Sequence, residues 1–277
     1  MWEIIKYQLK GQKNTMILLL SAIGIVNLIT WIVEIFAIFS GSWQGSPALM
    51  FWLPIAGLST GITGIVLFFA CSTGHVENLL YKDSNYLMLT VPRHGWEIIG
   101  GRMIAGLLEF LIYLIPAICI AIIHGGIGSI LLSQGEYSFF TTLGFFFQKA
   151  VVFNFPALLQ LSLYALCIFF TVGVFLIFAT VVSRSFIKNK GIATVIAIVV
   201  FVTVINWTQN LGNFLSSKLN WYTNFTVRIP QEMGFRSILQ FTEKNFQIPF
   251  TPFLIFLVLA AVLFVASSWL LEEKVEI

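Results

Sequence analysis

The chain has 277 residues, of which 58% are hydrophobic and only 10% charged, with 28 Phe and a mean hydropathy of +0.93. A soluble domain carries roughly 25% charged residues, so this composition excludes an ordinary soluble fold and makes lipid the natural solvent for most of the chain. The formal net charge of +3 is too small to point to nucleic acid.

In chain order, the first fifteen residues place Trp2, Ile5 and Leu9 on one helical face and Lys6, Lys10 and Lys13 on another. That pattern predicts a helix lying in the headgroup layer before the chain turns into the membrane. Six apolar segments then follow, each near the about 20 residues that cross a hydrocarbon core. They cover roughly 16–39, 49–72, 98–123, 158–182, 188–207 and 251–271. Backbone groups in lipid must be satisfied within the segment, so the spans are helices and the expected fold is an all-α polytopic membrane protein forming one transmembrane domain. The run Met16–Phe39 is too long and begins too late for the apolar core of a signal peptide, so it reads as a retained span.

Asn154, Pro156 and Gln160 interrupt the apolar stretch before the fourth span, which predicts a short helix or re-entrant piece at about 139–156. The fifth span is short and ends in a polar patch, Asn206 to Asn210. The segment 208–250 is too small for a core of its own and is expected to form short helices capping the outer mouth. Lys and Arg cluster at the N-terminal arm, in 73–97 (Lys82, Arg93, with Arg102 just inside the next span) and in 183–190, while 40–48 carries none. By the positive-inside rule both termini and these loops are cytoplasmic.

Several motifs are excluded. No phosphate-binding G-x-x-x-x-G-K-[ST] and no H-E-x-x-H occur, so no nucleotide or zinc-protease site is expected on the chain. Cys71, Cys119 and Cys167 each fall in an apolar run far from one another, which predicts packed thiols and no metal site. Gly57-Leu-Ser59-Thr-Gly61 matches a nucleophile elbow, but inside a membrane helix it reads as a small-residue strip for close helix packing, continued by Gly64. No catalytic set can be assembled.

Two carboxylates fall within spans. An ionisable group at the bilayer centre costs at least about 2.5–3.5 kcal/mol and is a functional hypothesis by default. Glu109 is expected to face a solvated path or to pair with Arg102, two turns earlier. Glu34, toward the outer end of the first span, is expected to be interfacial and structural.

The stretch 81–94, YKDSNYLMLTVPRH, is half polar and half apolar. Asp83 and Ser84 suit helix N-caps, and Pro92 disfavours helix at Val91, so the loop reads as two short interfacial helices. The run Asp83-Ser84-Asn85-Tyr86-Leu87-Met88-Leu89-Thr90-Val91-Pro92, followed by Arg102, resembles the cytosolic loop of ABC-2-type permeases, the membrane subunits of one class of ATP-binding-cassette exporters. It departs from the family pattern at Asn85, where glycine is usual, and at Val91, where Leu is common. The layout of arm, six spans and outer segment is similar along the whole chain.

The resemblance implies that Tyr81, Asp83, Ser84, Asn85, Tyr86, Leu87, Met88, Leu89, Pro92 and Arg93 contact a separate ATPase subunit, which would hold the ATP and Mg. It implies a second copy or homologue of the permease, and export of a hydrophobic or amphipathic substrate (antimicrobial peptide, drug or lipid) across a bacterial cytoplasmic membrane. An intramembrane hydrolase and a non-transporting immunity or scaffold protein are the alternatives.

Overall fold

The computed structural model describes residues 1–41, 46–76, 94–132, 140–141, 144, 154–187, 190–219, 222–230 and 241–273. Within these residues six long helices occur: α1 (Trp2–Ser40), α2 (Pro47–Ser72), α3 (Gly95–Leu132), α4 (Phe155–Phe186), α5 (Lys190–Leu219) and α6 (Phe250–Glu273). Each is long and apolar enough to cross a bilayer. Large apolar side chains such as Leu18, Phe36, Val195 and Val265 stand more than half exposed on their outer faces. A water-soluble monomer does not display apolar surface on that scale, so these faces meet lipid. The chain is a multi-pass α-helical membrane protein.

The helices exceed the expected spans. α1 runs without interruption for 39 residues, about 58 Å at 1.5 Å per residue, so the N-terminal arm and the first span are one element and not two. Its buried face at the start is Ile4, Ile5 and Gln8, while Trp2 is exposed. Of the stripe expected to meet the headgroup layer, Ile5 packs on protein, Leu9 is half-buried and Trp2 is exposed. Ile4 joins the main apolar core with Val76, Ile99, Met103, Phe175 and Leu271. α5 continues through the polar patch at 206–210 to Leu219. α4 begins at Phe155, with Pro156 in its first turn, where proline lacks no bond that the helix would otherwise make.

The largest departure lies before α6. Instead of short helices, the strands β1 (Tyr222–Pro230) and β2 (Phe241–Pro249) pair antiparallel, with Phe225 opposite Phe246 and Thr226 opposite Asn245. The sequence Asn224-Phe-Thr-Val-Arg-Ile229 alternates polar and apolar residues and is rich in β-branched side chains, a period-2 pattern that no helix face can satisfy. The Thr226 hydroxyl donates to Asn245 Oδ1 across the pair at 2.8 Å.

The chain ends of α1, α2, α3 and α6 converge at one end of the bundle. Gly101 lies against Ile4, Gly74 against Arg102, and the Gly95 amide donates to the Glu272 carboxylate. The N-terminus, the last turn of α6 and the residues flanking 77–93 therefore lie at one end of the bundle. The ATPase-contact positions themselves (Tyr81, 83–89, Pro92 and Arg93) lie outside the described residues, as does most of the helix expected at 139–156.

Candidate functional site

Two buried polar clusters sit between α1, α2 and α3, each built on a histidine–carboxylate pair. The first forms at the end of the bundle that carries the N-terminus. Two close approaches create it. A Cβ added at Gly106 would lie 1.9 Å from the Cys71 carbonyl oxygen, and one at Gly173 would lie 2.1 Å from that of Ser72. The last turn of α2 is thus clamped between α3 and α4, and only glycine permits it. One turn beyond Gly106 on α3, Glu109 then faces Cys71.

After Ser72 the backbone reverses through two left-handed residues, Gly74 (φ 56) and His75 (φ 54). The His75 amide reaches back to the Ala70 carbonyl at 3.3 Å. This turn carries the imidazole onto the carboxylate: His75 Nε2 is 2.8 Å from Glu109 Oε2. The Gln8 amide donates to Glu109 Oε1 at 3.1 Å, and Cys71 Sγ lies 3.9 Å from Oε2. Glu109 is 1% exposed. Arg102 lies near enough to Glu109 for the two charges to interact, as expected, and it also holds backbone. The Arg102 guanidinium donates to the carbonyls of Gly74 and His75, at 3.4 and 3.0 Å, and so holds the turn that delivers the histidine.

The second cluster lies on the same three helices, fifteen residues further along α3, or roughly 22 Å at about 1.5 Å per residue. His124 Nδ1 is 2.8 Å from Glu34 Oε1, and its Nε2 is 3.0 Å from Asn27 Oδ1. The Asn27 amide donates to the Ile23 carbonyl at 2.8 Å and to Thr60 Oγ1 at 3.2 Å. The Ile23 carbonyl is an obligate acceptor, so Asn27 Oδ1 must be the atom facing the imidazole, and Nε2 must carry a proton. Glu34 is 2% exposed, and its Oε2 has no hydrogen-bond partner among the described residues.

Glu34, His124, Asn27 and Thr60 form the polar part of the wall of a cavity of about 690 Å³, whose remaining lining is apolar, including Leu53, Ala56, Ala117 and Ile120. Gly57 and Gly61 line it too, and a Cβ on either would meet nothing within 4 Å. The expected close-packing strip is therefore a gap at these positions; only Gly64 meets a neighbour, the Tyr113 ring, at 3.4 Å. The Ser59 hydroxyl donates to the Ala56 carbonyl of its own helix at 3.0 Å.

Of the three in-span groups singled out in the sequence, Glu109 and Arg102 fall at the first cluster and Glu34 at the second. Gln8, His75, Asn27 and His124 were not anticipated. A signal existed on α1, where Asn27, Thr30 and Glu34 recur at helical spacing inside an apolar run and therefore share one face. No family model, curated protein or solved structure matches the chain.

Proposed function

We propose that the chain is the permease subunit of an ATP-binding-cassette exporter, moving a hydrophobic or amphipathic substrate out of a bacterial cytoplasm. Six spanning helices, termini on one face and the run from Asp83 to Pro92 support this reading. The observation that carries it is the cavity. A space of about 690 Å³ falls in the range of drug-sized ligand sites, roughly 300–1,000 Å³. It takes a small amphipathic molecule, or one segment of a peptide or lipid. Apolar walls accept its body, and the half-satisfied Glu34 carboxylate accepts a hydrogen bond or positive charge from its head.

In this reading the face holding both termini is cytoplasmic, and the stretch from Tyr81 to Arg93 meets the ATPase. That subunit holds the ATP and Mg, and two permease chains complete the transporter. Nucleotide can shift the access equilibrium only through a contact that differs between states, which makes the loop the coupling element. A hydrolase reading has less support, because fully buried Cys71 bonds to Glu109 and not to an activating imidazole.

The test is co-purification of an ATPase from native membrane, followed by reconstitution. Leu87→Asp or Met88→Asp abolishes stimulation of ATP hydrolysis while the chain still inserts. Unchanged stimulation by the variants, or no associated ATPase, overturns the proposal.

A further inference from the structure

Cys71, His75 and Glu109 bring a sulfur, an imidazole nitrogen and a carboxylate oxygen within 4.8 Å of one another. We infer that these three residues form a binding site for a divalent transition-metal ion of the zinc class, clamping the end of α2 to α3. The donor set is the first argument. Thiolate and imidazole favour zinc and its late transition-metal neighbours over magnesium or calcium, and three protein ligands with a solvent-held fourth position is a recurrent zinc arrangement. Bonds of about 2.0–2.3 Å to zinc need the three atoms to surround a common point, and their present spacing requires only side-chain adjustment.

Charge gives the second argument. A buried carboxylate and a thiolate together neutralise a divalent cation, which removes the cost of an isolated charge in a low-dielectric interior. The Cys71 thiol proton leaves to solvent as the metal–sulfur bond forms. The Arg102 guanidinium, the neighbouring positive group, is directed to the carbonyls of Gly74 and His75.

The backbone supplies an independent third argument. His75 adopts φ 54, a left-handed conformation that non-glycine residues occupy at a cost of order 1–3 kcal/mol and that concentrates at functional sites. It is this turn that aims the imidazole at Glu109. Gln8 holds the other carboxylate oxygen, and its own Oε1 is buried without a partner among the described residues. A water on the metal would have that atom as an acceptor, as oriented neighbours of metal ligands commonly provide. His75 is partly exposed, with 17% of its side chain accessible, and marks the route by which an ion enters. The inference stands whether or not the chain is a transporter.

Untagged full-length protein in detergent, stripped with a chelator, is titrated with Co²⁺ as the probe. Expected is saturable binding with a near-ultraviolet thiolate-to-cobalt charge-transfer band that Zn²⁺ abolishes by competition. Cys71→Ser removes the band and Cys167→Ser leaves it. His75→Ala, at the turn outside α2, weakens binding at least about tenfold. That variant carries the decision should Cys71→Ser not fold. Absence of the band in the wild-type protein, its survival in Cys71→Ser, or wild-type affinity in His75→Ala overturns the inference.

Discussion

The same pair of side chains, a histidine and a glutamate, occurs twice between the same three helices, and the surroundings give the two pairs different capacities. Around Glu109 the helices close, and only the His75 edge keeps some exposure. Gly106 and Gly173 bring backbones into contact, and both carboxylate oxygens are engaged. Around His124 and Glu34 the helices part. Gly57 and Gly61 face a cavity, and one carboxylate oxygen is left over. Glycine therefore acts in opposite ways on one helix bundle, as a spacer removed at Gly106 and as an absent wall at Gly57. A closed pair can hold something small that matches its donors. An open pair can receive something larger.

The comparison can be broken most severely at its glycines. Gly106→Ala places a Cβ where the Cys71 carbonyl already lies, 1.9 Å away. Overpacking of this kind costs about 1–3 kcal/mol or more, so thermal melting in detergent should show a large loss of stability. Gly57→Ala meets nothing within 4 Å and should melt as wild type, or slightly higher, since alanine favours helix by about 1 kcal/mol over glycine. Equal destabilisation by the two variants would remove the distinction between the clusters.

The next effect, at most as large, is expected at Glu109. Glu109→Gln replaces an acceptor for Gln8 and His75 by an amide that can satisfy only part of them, at a cost of about 1–3 kcal/mol. Transport should fail while the protein still inserts and folds; full transport at normal expression would remove Glu109 from any role in transport. A smaller loss of stability than at Glu109 belongs to Glu34→Gln. Its Oε2 has no partner to lose, and an amide can still bond His124. Its consequence should fall on ligand affinity at the cavity, measured by binding of cationic amphipathic compounds. A variant that melts much lower but binds equally well would make Glu34 a packing residue.

Much of the architecture was legible in the residues. Six apolar runs and the rule that lipid-exposed backbone must satisfy itself lead directly to six helices. The limits of those helices were less legible. Hydropathy marks where a segment is apolar, whereas a helix continues until caps or packing stop it, and so α1 absorbs the basic arm and α5 passes through Asn206 to Asn210. The hairpin before α6 was carried by a period-2 pattern in Asn224–Ile229 that the search for amphipathic helices passes over.

The site divides in the same way. The sequence by itself determined that Glu34 and Glu109 would need partners, because a charge in the hydrocarbon core is costly wherever it points. Which partners they found was settled by tertiary structure alone. Glu109 meets Gln8, 101 residues away, and Glu34 meets His124, 90 residues away. Those meetings depend on how closely two helices can approach, on glycines that allow contact at one level and leave space at another, and on a left-handed turn at His75. Each is a property of the packed bundle, and local sequence spacing does not encode it.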